Sequence, residues 1–585
     1  MPTGKKANQS LYGTEGSAAR RAESSPVDGG ELVSRVLESQ KVKYLFAING
    51  GHTFPILATL REHGIKLIHM RHEQACAYAA DAYARTTGTP GVCSVTAGCG
   101  LTNAVTGLCG AGLAGSAVVC IAGQHPTTED QLGSFQEAYG SDVCRTFSKF
   151  VKRVLDWSTI EVDLRQAFRE ATTPPQGPTL VEIPTNVLYD TRDASEQRRG
   201  AKVYAPDELR SAADPAKIER LLELLESAER PLIAAGDGIF WSGAGNDLRE
   251  LAELTGIPVY ARRTGQGALP EDHPLAIRGV WKKPFTGRAD VVVAIGFRFW
   301  SGEKFGEPPT WNDKARYVQI DATPNRIGLH VPAEIAMVGD PKLVLRQLID
   351  AAKRLGISSK KRAESAWCRE ITEVRANYER TIDETEKKTH DQTPIHPDRL
   401  CRELCELLDR DATVVIDSFT LSGWMTQWFR ARFPGQVVDA GPLAPVGHGV
   451  GMAIGAQLAR PGKQVVLVVG DGGLGIGGFD IETAVRYGLP IHTVLWNNSS
   501  WGPGFEEMPL LKGRTDPFNM LENIRYDRMF SEFGCHTEHV EGPGEIRAAL
   551  ERAFRSGKTS LVNVIGDKRI GHPRLGGTLL GSTQV

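Results

Sequence analysis

From Glu31 onward two periodicities alternate along the chain. Stretches with apolar residues every three or four positions, such as ELVSRVLESQ and ACAYAADAYART, read as amphipathic helices. Short β-branched runs, such as KYLFAIN, KLIHM, GVCSVT and SAVVCIAG, read as strands buried on both faces. Buried strands separated by helices mean a parallel sheet with crossover connections. The pattern restarts after the charged stretch TRDASEQRRGAKVYAPDE: helix KIERLLELLES, strand PLIAAG, helix NDLRELAEL, strands IPVYAR, ADVVVAIG and RYVQID, then helix PKLVLRQLIDAAKRL. A second charged stretch, KKRAESAW to EKKTHDQTP, leads to a third block whose strands TVVID, KQVVLVVG and IHTVLW are again separated by helices. The expected fold class is α/β, with three doubly wound parallel-sheet domains at 31–200, 201–375 and 376–567. They are flanked by a polar, Gly/Ser-rich tail at 1–30, expected to be disordered, and a basic tail at 568–585.

Composition narrows the function class. Lys+Arg number 68 against 70 Asp+Glu, a formal charge of −2, so there is no bulk basic field and no nucleic-acid partner is expected. No apolar run approaches the roughly 20 residues of a bilayer span, and no membrane partner is expected either. The 63 glycines carry no Gly-X-Y period and suit the tight strand-to-helix turns of an α/β enzyme. The ten cysteines are scattered without a Cys-x-x-Cys pair, which argues against a disulfide scaffold or zinc ribbon. Cys401 and Cys405 share a helix face and read as core. The first thirty residues lack an apolar h-region and contain Glu15, Glu23 and Asp28, against a signal peptide or organellar presequence. The expected location is the cytoplasm.

The most specific chemistry is in the third block. Strand KQVVLVV runs into Gly470-Asp471-Gly472-Gly473 and a helix, and a second strand, IHTVLW, ends in Asn497-Asn498. Bare amides at a helix start favour phosphate. Asp471 adds a hard oxygen ligand, and the 27-residue separation from Asn498 leaves room for one helix and a return strand, which brings both to the same sheet edge. An aspartate, an asparagine, a backbone carbonyl and phosphate oxygens make a sensible magnesium shell.

This combination resembles the thiamine-diphosphate enzymes, whose signature is a GDG turn followed at this distance by paired asparagines. The resemblance extends from residue 31 to about 567, to the acetohydroxyacid-synthase-like superfamily, and makes the three domains pyrimidine-binding, central nucleotide-type and diphosphate-binding. It implies that Asp471, Asn498 and the Ser500 carbonyl hold Mg²⁺, that Gly470, Gly472 and Gly473 contact the diphosphate, and that Val446 props the thiamine in a bent shape. In the first domain, Arg71-His72-Glu73-Gln74 precedes a small-residue helix; a family glutamate there hydrogen-bonds the aminopyrimidine and promotes loss of the C2 proton, which makes Glu73 the catalytic candidate. His52, in Asn49-Gly50-Gly51-His52, and Gln136 match residues that face the reacting carbon in carboligases resembling benzaldehyde lyase, with Gly51 as a cofactor contact. Arg298 and Asp321, at strand ends of the central domain, match positions that bind the ADP moiety of an activator or of coenzyme A in oxalyl-CoA decarboxylases; FAD is not expected. Lys568, Arg569 and Arg574 in the basic tail are either solubilising or phosphate-binding.

The stretch FDIETAVRYGLPIHTVLWNN is most similar to oxalyl-CoA decarboxylase and 2-hydroxyacyl-CoA lyase. The decarboxylases carry a tyrosine shortly after the asparagines, where this chain reads Ser499-Ser500-Trp501-Gly502. The reading favoured is therefore a lyase that cleaves a 2-hydroxyacyl-CoA to formyl-CoA and an aldehyde or ketone, reversible as a carboligation. The alternatives are oxalyl-CoA decarboxylase and a CoA-independent carboligase of acetolactate-synthase or benzaldehyde-lyase type. A silent regulatory subunit would have no need of Glu73. Because Glu73 and Asp471 lie in different domains, and the family joins these domains across subunits, a homodimer is the expected minimum and a homotetramer the expected assembly.

Overall fold

The computed structural model describes residues 26–198, 206–502, 512, 514, 516–522 and 524–573. Three six-stranded sheets, each parallel throughout, carry the three domains. In the first sheet the strands run Lys66–His69, Tyr44–Ala47, Gly91–Val95, Val118–Gln124, Thr179–Pro184, Phe150–Arg153. In the last they run Val437–Asp439, Thr413–Asp417, Val465–Gly470, Ile491–Asn497, Ser560–Ile565, His536–Val540. Numbered along the chain, both are 2-1-3-4-6-5, so the two outer domains share one topology. The central sheet, from Ala276–Ile277 through Pro231–Ala235 and Val291–Ile295 to Ile335–Val338, is ordered 3-2-1-4-5-6, the arrangement of dinucleotide-binding folds. Each sheet reverses its strand order at its first strand, the outer two again at their last pair, and ligands of open α/β sheets bind at the carboxyl ends of the strands flanking such a point.

The outer domains are fused by two small-residue helices, Glu73–Thr87 and Gly449–Ala459. Glycine permits the approach: a Cβ on Gly455 would stand 2.1 Å from the carbonyl oxygen of Ala79, and one on Gly451 3.0 Å from that of Ala75. A single apolar core therefore runs through both domains, from Phe46 and Val95 to Leu467 and Leu495. On the same helix Arg85 holds Asp81 through two hydrogen bonds of 3.0 and 2.8 Å and donates to the Asp439 carbonyl at 2.8 Å, so this buried cation is paired.

Three sequence expectations need correction. Residues 26–30 do not belong to a disordered tail: Pro26–Asp28 pair antiparallel with Thr191–Asp193, and the Asp28 carboxylate caps the helix from Gly29 by accepting from the Glu31 N–H at 2.9 Å. The rest of the expected tail lies outside the described residues. The boundary drawn between 375 and 376 falls inside one 24-residue helix, Ala366–Thr389, whose charged surface read as a linker. The glycine-rich segment after Gly470 is not a turn before a helix, because Asp471–Gly477 is itself helical.

Candidate active site

In the third domain the order reverses between Thr413–Asp417 and Val465–Gly470. Their carboxyl ends open on a cavity of about 230 Å³ whose lining includes Val446, Gly470, Asp471, Gly472, Gly473, Asn498 and Ser500, so these seven predicted residues share one site. Asp471 is buried, its carboxylate accepting from the backbone N–H of Gly472 at 2.9 Å and of Ser499 at 2.8 Å. No basic side chain pairs with it among the described residues, and burial pushes its carboxyl up to about 6. Ser499 has φ +53, a left-handed turn that reverses the chain between Asn498 and Ser500. The Asn498 Oδ1 accepts from the Ser500 N–H at 3.3 Å, and the Ser500 carbonyl from the Gly502 N–H at 3.0 Å. A buried carboxylate without a cation, an amide oxygen and a backbone carbonyl on one turn are a donor set that fits a hard divalent ion. Gly472 is required by Trp501: a Cβ there would meet the indole at 2.6 Å. Thus the Trp501 indole forms part of the cavity wall. Val446 and Phe419 stand half-exposed on the rim.

The first domain reverses between Tyr44–Ala47 and Gly91–Val95, and the turn after the latter, with the start of the helix Cys99–Ala114, collects all three N-terminal candidates. The His52 Nδ1 lies 3.0 Å from the Thr96 Oγ1, leaving Nε2 without a hydrogen bond among the described residues. Burial holds the His52 pKa below the ordinary imidazole value, with His125 adding to the effect, and the Phe135 ring stacks on it at 6.3 Å. Gln136, φ +59, donates from Nε2 to the Cys99 Sγ at 3.3 Å. Glu73 is the first residue of its helix, which His72 caps by accepting from the Gln74 N–H at 3.1 Å. One Glu73 oxygen accepts from the Asn103 side-chain amide at 3.0 Å, and the other is 3.7 Å from where a Cβ on Gly100 would lie. Gly51 has open space around its Cα and offers its carbonyl to the Tyr189 hydroxyl at 2.6 Å.

Sequence reasoning missed three supports of this site. Thr96 and Asn103 orient His52 and Glu73, yet sit in GVCSVTAGCGLTNA as an unremarkable turn and helix face. The third is a clamp from the other domain: Asp480 accepts from the Arg71 N–H at 2.9 Å, while Arg486 donates to the His69 carbonyl at 2.7 Å and the Tyr487 hydroxyl accepts from the His69 N–H at 2.9 Å. Burial pushes the Asp480 carboxyl up to about 6. Nearby, His125, Asp130 and Glu137 converge but satisfy one another and the backbone; Glu137 accepts from Gln131, Gly133 and Ser134 N–H groups at 2.6 to 3.1 Å, shaping the loop that carries Gln136.

In the central domain, Arg298 and Asp321 line one cavity of about 220 Å³ at that sheet's reversal. Arg298 is engaged: it pairs with the buried Asp237 and donates to the carbonyls of Leu113 at 3.2 Å and Ala114 at 2.9 Å. Asp321 is buried, accepts from the Thr323 N–H at 2.8 Å, and has its carboxyl raised by that burial. Of the basic tail, Lys568 faces Glu522 at 3.2 Å and Arg569 faces Asp567 at 2.8 Å; Arg574 lies outside the described residues. No described helix is long and apolar enough to cross a membrane.

Comparison with known proteins gives this geometry a family. Residues 27–143 match the model of the thiamine pyrophosphate enzyme N-terminal TPP binding domain, 218–348 that of the central domain, and 419–564 that of the C-terminal TPP binding domain. An acetolactate synthase large subunit of Mycobacterium tuberculosis is 32% identical, the alignment covering 94% of this chain and 98% of the relative. A probable acetolactate synthase large subunit of Methanocaldococcus jannaschii is 31% identical over 92% of each. The 2-hydroxyacyl-CoA lyase 1 of Mus musculus is 27% identical over 92% of this chain and 94% of its own. With three domains in that order and a strand-end site in each outer one, the molecule has the architecture of an enzyme that divides one cofactor between two related folds. The chain belongs to the thiamine pyrophosphate enzyme family.

Proposed function

We propose that the protein is a thiamine-diphosphate-dependent carbon–carbon lyase that cleaves a 2-hydroxyacyl compound beside its carbonyl and, in reverse, joins two carbonyl compounds. The observation that carries this reading is His52: an imidazole kept neutral by burial, fixed through Nδ1 by Thr96, with Nε2 left to accept a proton. Bound thiamine diphosphate supplies a nucleophilic carbon and an electron sink. Glu73, oriented by Asn103, holds and moves the proton that prepares the pyrimidine. His52 takes the proton of the substrate 2-hydroxyl during cleavage and returns it during ligation, and Gln136 orients the carbonyl oxygen. Asp471, Asn498 and the Ser500 carbonyl would hold Mg²⁺.

The first substrate reading is a 2-hydroxyacyl-CoA, giving formyl-CoA and an aldehyde or ketone, with the ADP part of coenzyme A, or ADP as an activator, at the Arg298 and Asp321 cavity. The second, a CoA-independent carboligase of acetolactate-synthase type, is favoured by the higher identity to acetolactate synthases and by Arg298 being already paired. None of the described lining of the Asp471 cavity comes from the first domain, and exposed apolar residues surround both half-sites, Leu132 and Phe135 on one, Ile476 and Phe479 on the other. These support a homodimer as the catalytic minimum, with a homotetramer built from it, and the ten free cysteines suit a cytoplasmic location. The test is to measure, on one preparation, formyl-CoA released from a 2-hydroxyacyl-CoA, carbon dioxide from oxalyl-CoA, and pyruvate consumed. Aldehyde and formyl-CoA in equal amounts are expected for the first reading. Carbon dioxide without aldehyde or ketone, from every substrate, would end the lyase assignment.

A further inference from the structure

A third cavity, of about 360 Å³, lies between all three domains; its lining includes Arg85 from the first, Arg262 and Arg263 from the central, and Asp439, His448 and His572 from the last. It shares Asp417, Ser418, Phe419 and Val446 with the diphosphate cleft, so it adjoins the reacting centre along that wall. Most charges around it are paired. Arg85 is bound by Asp81, and Arg262, whose Nε makes no hydrogen bond, stands in an ion pair 3.3 Å from Glu303, which also binds Lys282.

Arg263 differs. Its guanidinium donates no hydrogen bond among the described residues. The nearest carboxylate, Asp439, is 3.8 Å away and is already engaged by Arg85 at 3.5 Å and by the Gly441 N–H at 3.0 Å. The side chain is only 11% exposed and lies against the Trp300 ring at 5.3 Å. A guanidinium removed from water without a hydrogen-bonding partner is costly. The backbone adds a second cost, since Arg263 has φ +58, a left-handed conformation unfavourable for a residue with a Cβ. Neighbouring glycines impose the turn: a Cβ on Gly265 would stand 2.4 Å from the Gly236 carbonyl oxygen. Burial lowers the Arg263 pKa from its ordinary value, but an arginine remains cationic in the physiological range. Two unfavourable features at one residue, on the wall of a chamber beside the cofactor cleft, describe a site completed by an anionic ligand.

We propose that Arg263 is the anion-binding residue of an interdomain substrate subsite, holding a carboxylate, phosphate or sulfonate that a small substrate carries at the end away from its reacting carbonyl. The chemistry at the Val446 wall rests on the lyase reading above; the binding at Arg263 does not. The prediction is read by acyloin formation from succinic semialdehyde against butanal, which have the same carbon count and differ by one carboxylate, in the holoenzyme and in Arg263→Gln and Arg263→Lys. The kcat/KM ratio of acid to neutral aldehyde should fall about 10- to 100-fold in Arg263→Gln, as expected for losing a charge-assisted bond, with butanal turnover unchanged and Arg263→Lys intermediate. Calorimetric titration of each holoenzyme with succinate, methylphosphonate and methanesulfonate identifies the anion preferred, and thiamine diphosphate affinity verifies the fold of each variant. An unchanged ratio with active wild type would overturn the subsite and leave the lyase reading standing. Absence of turnover in wild type, with anion binding lost in Arg263→Gln, would remove the lyase reading and keep the subsite. Equal anion binding by wild type and Arg263→Gln overturns the subsite whatever the turnover.

Discussion

Glu73 occupies the first position of a helix, where the dipole favours a carboxylate, and Asn103 occupies only one of its two oxygens. The other accepts no hydrogen bond among the described residues, and the proposed mechanism gives it the cofactor ring. Glu73→Gln preserves the size and the Asn103 contact but removes the ionisable proton, so C2 proton exchange of bound thiamine diphosphate, followed by NMR, should slow by about 10²-fold or more while diphosphate affinity is kept. Exchange at the wild-type rate would take Glu73 out of the chemistry. His52 makes a pH prediction. Its pKa in the fold lies below the ordinary 6.5 because burial disfavours the charged ring, so the neutral base persists as pH falls past that value. The acid limb of kcat/KM for cleavage should therefore fall below pH 6.5, and His52→Ala should abolish that limb while depressing cleavage far more than any residual decarboxylation. An acid limb above 6.5, or equal losses of both activities, would reduce His52 to a pocket wall.

At the scale of elements, the loop that presents Glu73 is held from outside its own domain. Asp480, Arg486 and Tyr487 bind the backbone of His69 and Arg71 through three hydrogen bonds of 2.7 to 2.9 Å, so the segment FDIETAVRY of the last domain sets where the helix Glu73–Thr87 begins. Asp480→Ala should displace that start and slow C2 exchange about 10- to 100-fold, the size expected from a misplacement of about 1 Å, with little change in diphosphate affinity. Asp480→Asn keeps an acceptor for the Arg71 N–H and should retain most of the rate; equal rates in Asp480→Ala and wild type would show that the clamp is dispensable. This clamp also marks the limit of sequence reading. Alternating strand and helix patterns, the GDGG segment and the paired asparagines are local, and they sufficed for three parallel sheets and for the residues that line the Asp471 cavity. FDIETAVRY was legible only as a family likeness, because its partners lie some 400 positions away in the chain. Thr96 and Asn103 were silent for the same reason: a threonine or asparagine on a turn or helix face gains its role from what the fold brings opposite. The pairing of residues 26–28 went unread because three residues carry no measurable periodicity.

The whole molecule repeats one topology at its two ends, 2-1-3-4-6-5, with a strand-end site on each and the helices Glu73–Thr87 and Gly449–Ala459 packed between them. In the proposed mechanism the repeated sheets take different halves of the chemistry, the residues around Thr96 on the first handling the proton and those around Asp471 on the last holding the cation and diphosphate. The described lining of the Asp471 cavity includes no residue of the Glu73 half, and exposed apolar side chains, Phe135 beside His52 and Ile476 beside Gly447, lie near both half-sites. A second copy related by two-fold symmetry would supply the opposite half to each and form two equivalent sites. This arrangement predicts complementation between inactive variants. Glu73→Gln and Asp471→Ala chains, each inactive alone, should regain activity when co-expressed, because the mixed dimer pairs the intact Glu73 of one chain with the intact Asp471 of the other. Random pairing makes about half of the dimers mixed with one of two sites intact, so recovery should approach about a quarter of the wild-type rate per chain. Thiamine diphosphate binding, measured by calorimetry on the same mixture, should be retained only by sites formed with a wild-type Asp471. No recovery in a preparation shown by tandem tags to contain mixed dimers would mean that Glu73 and Asp471 act within one chain.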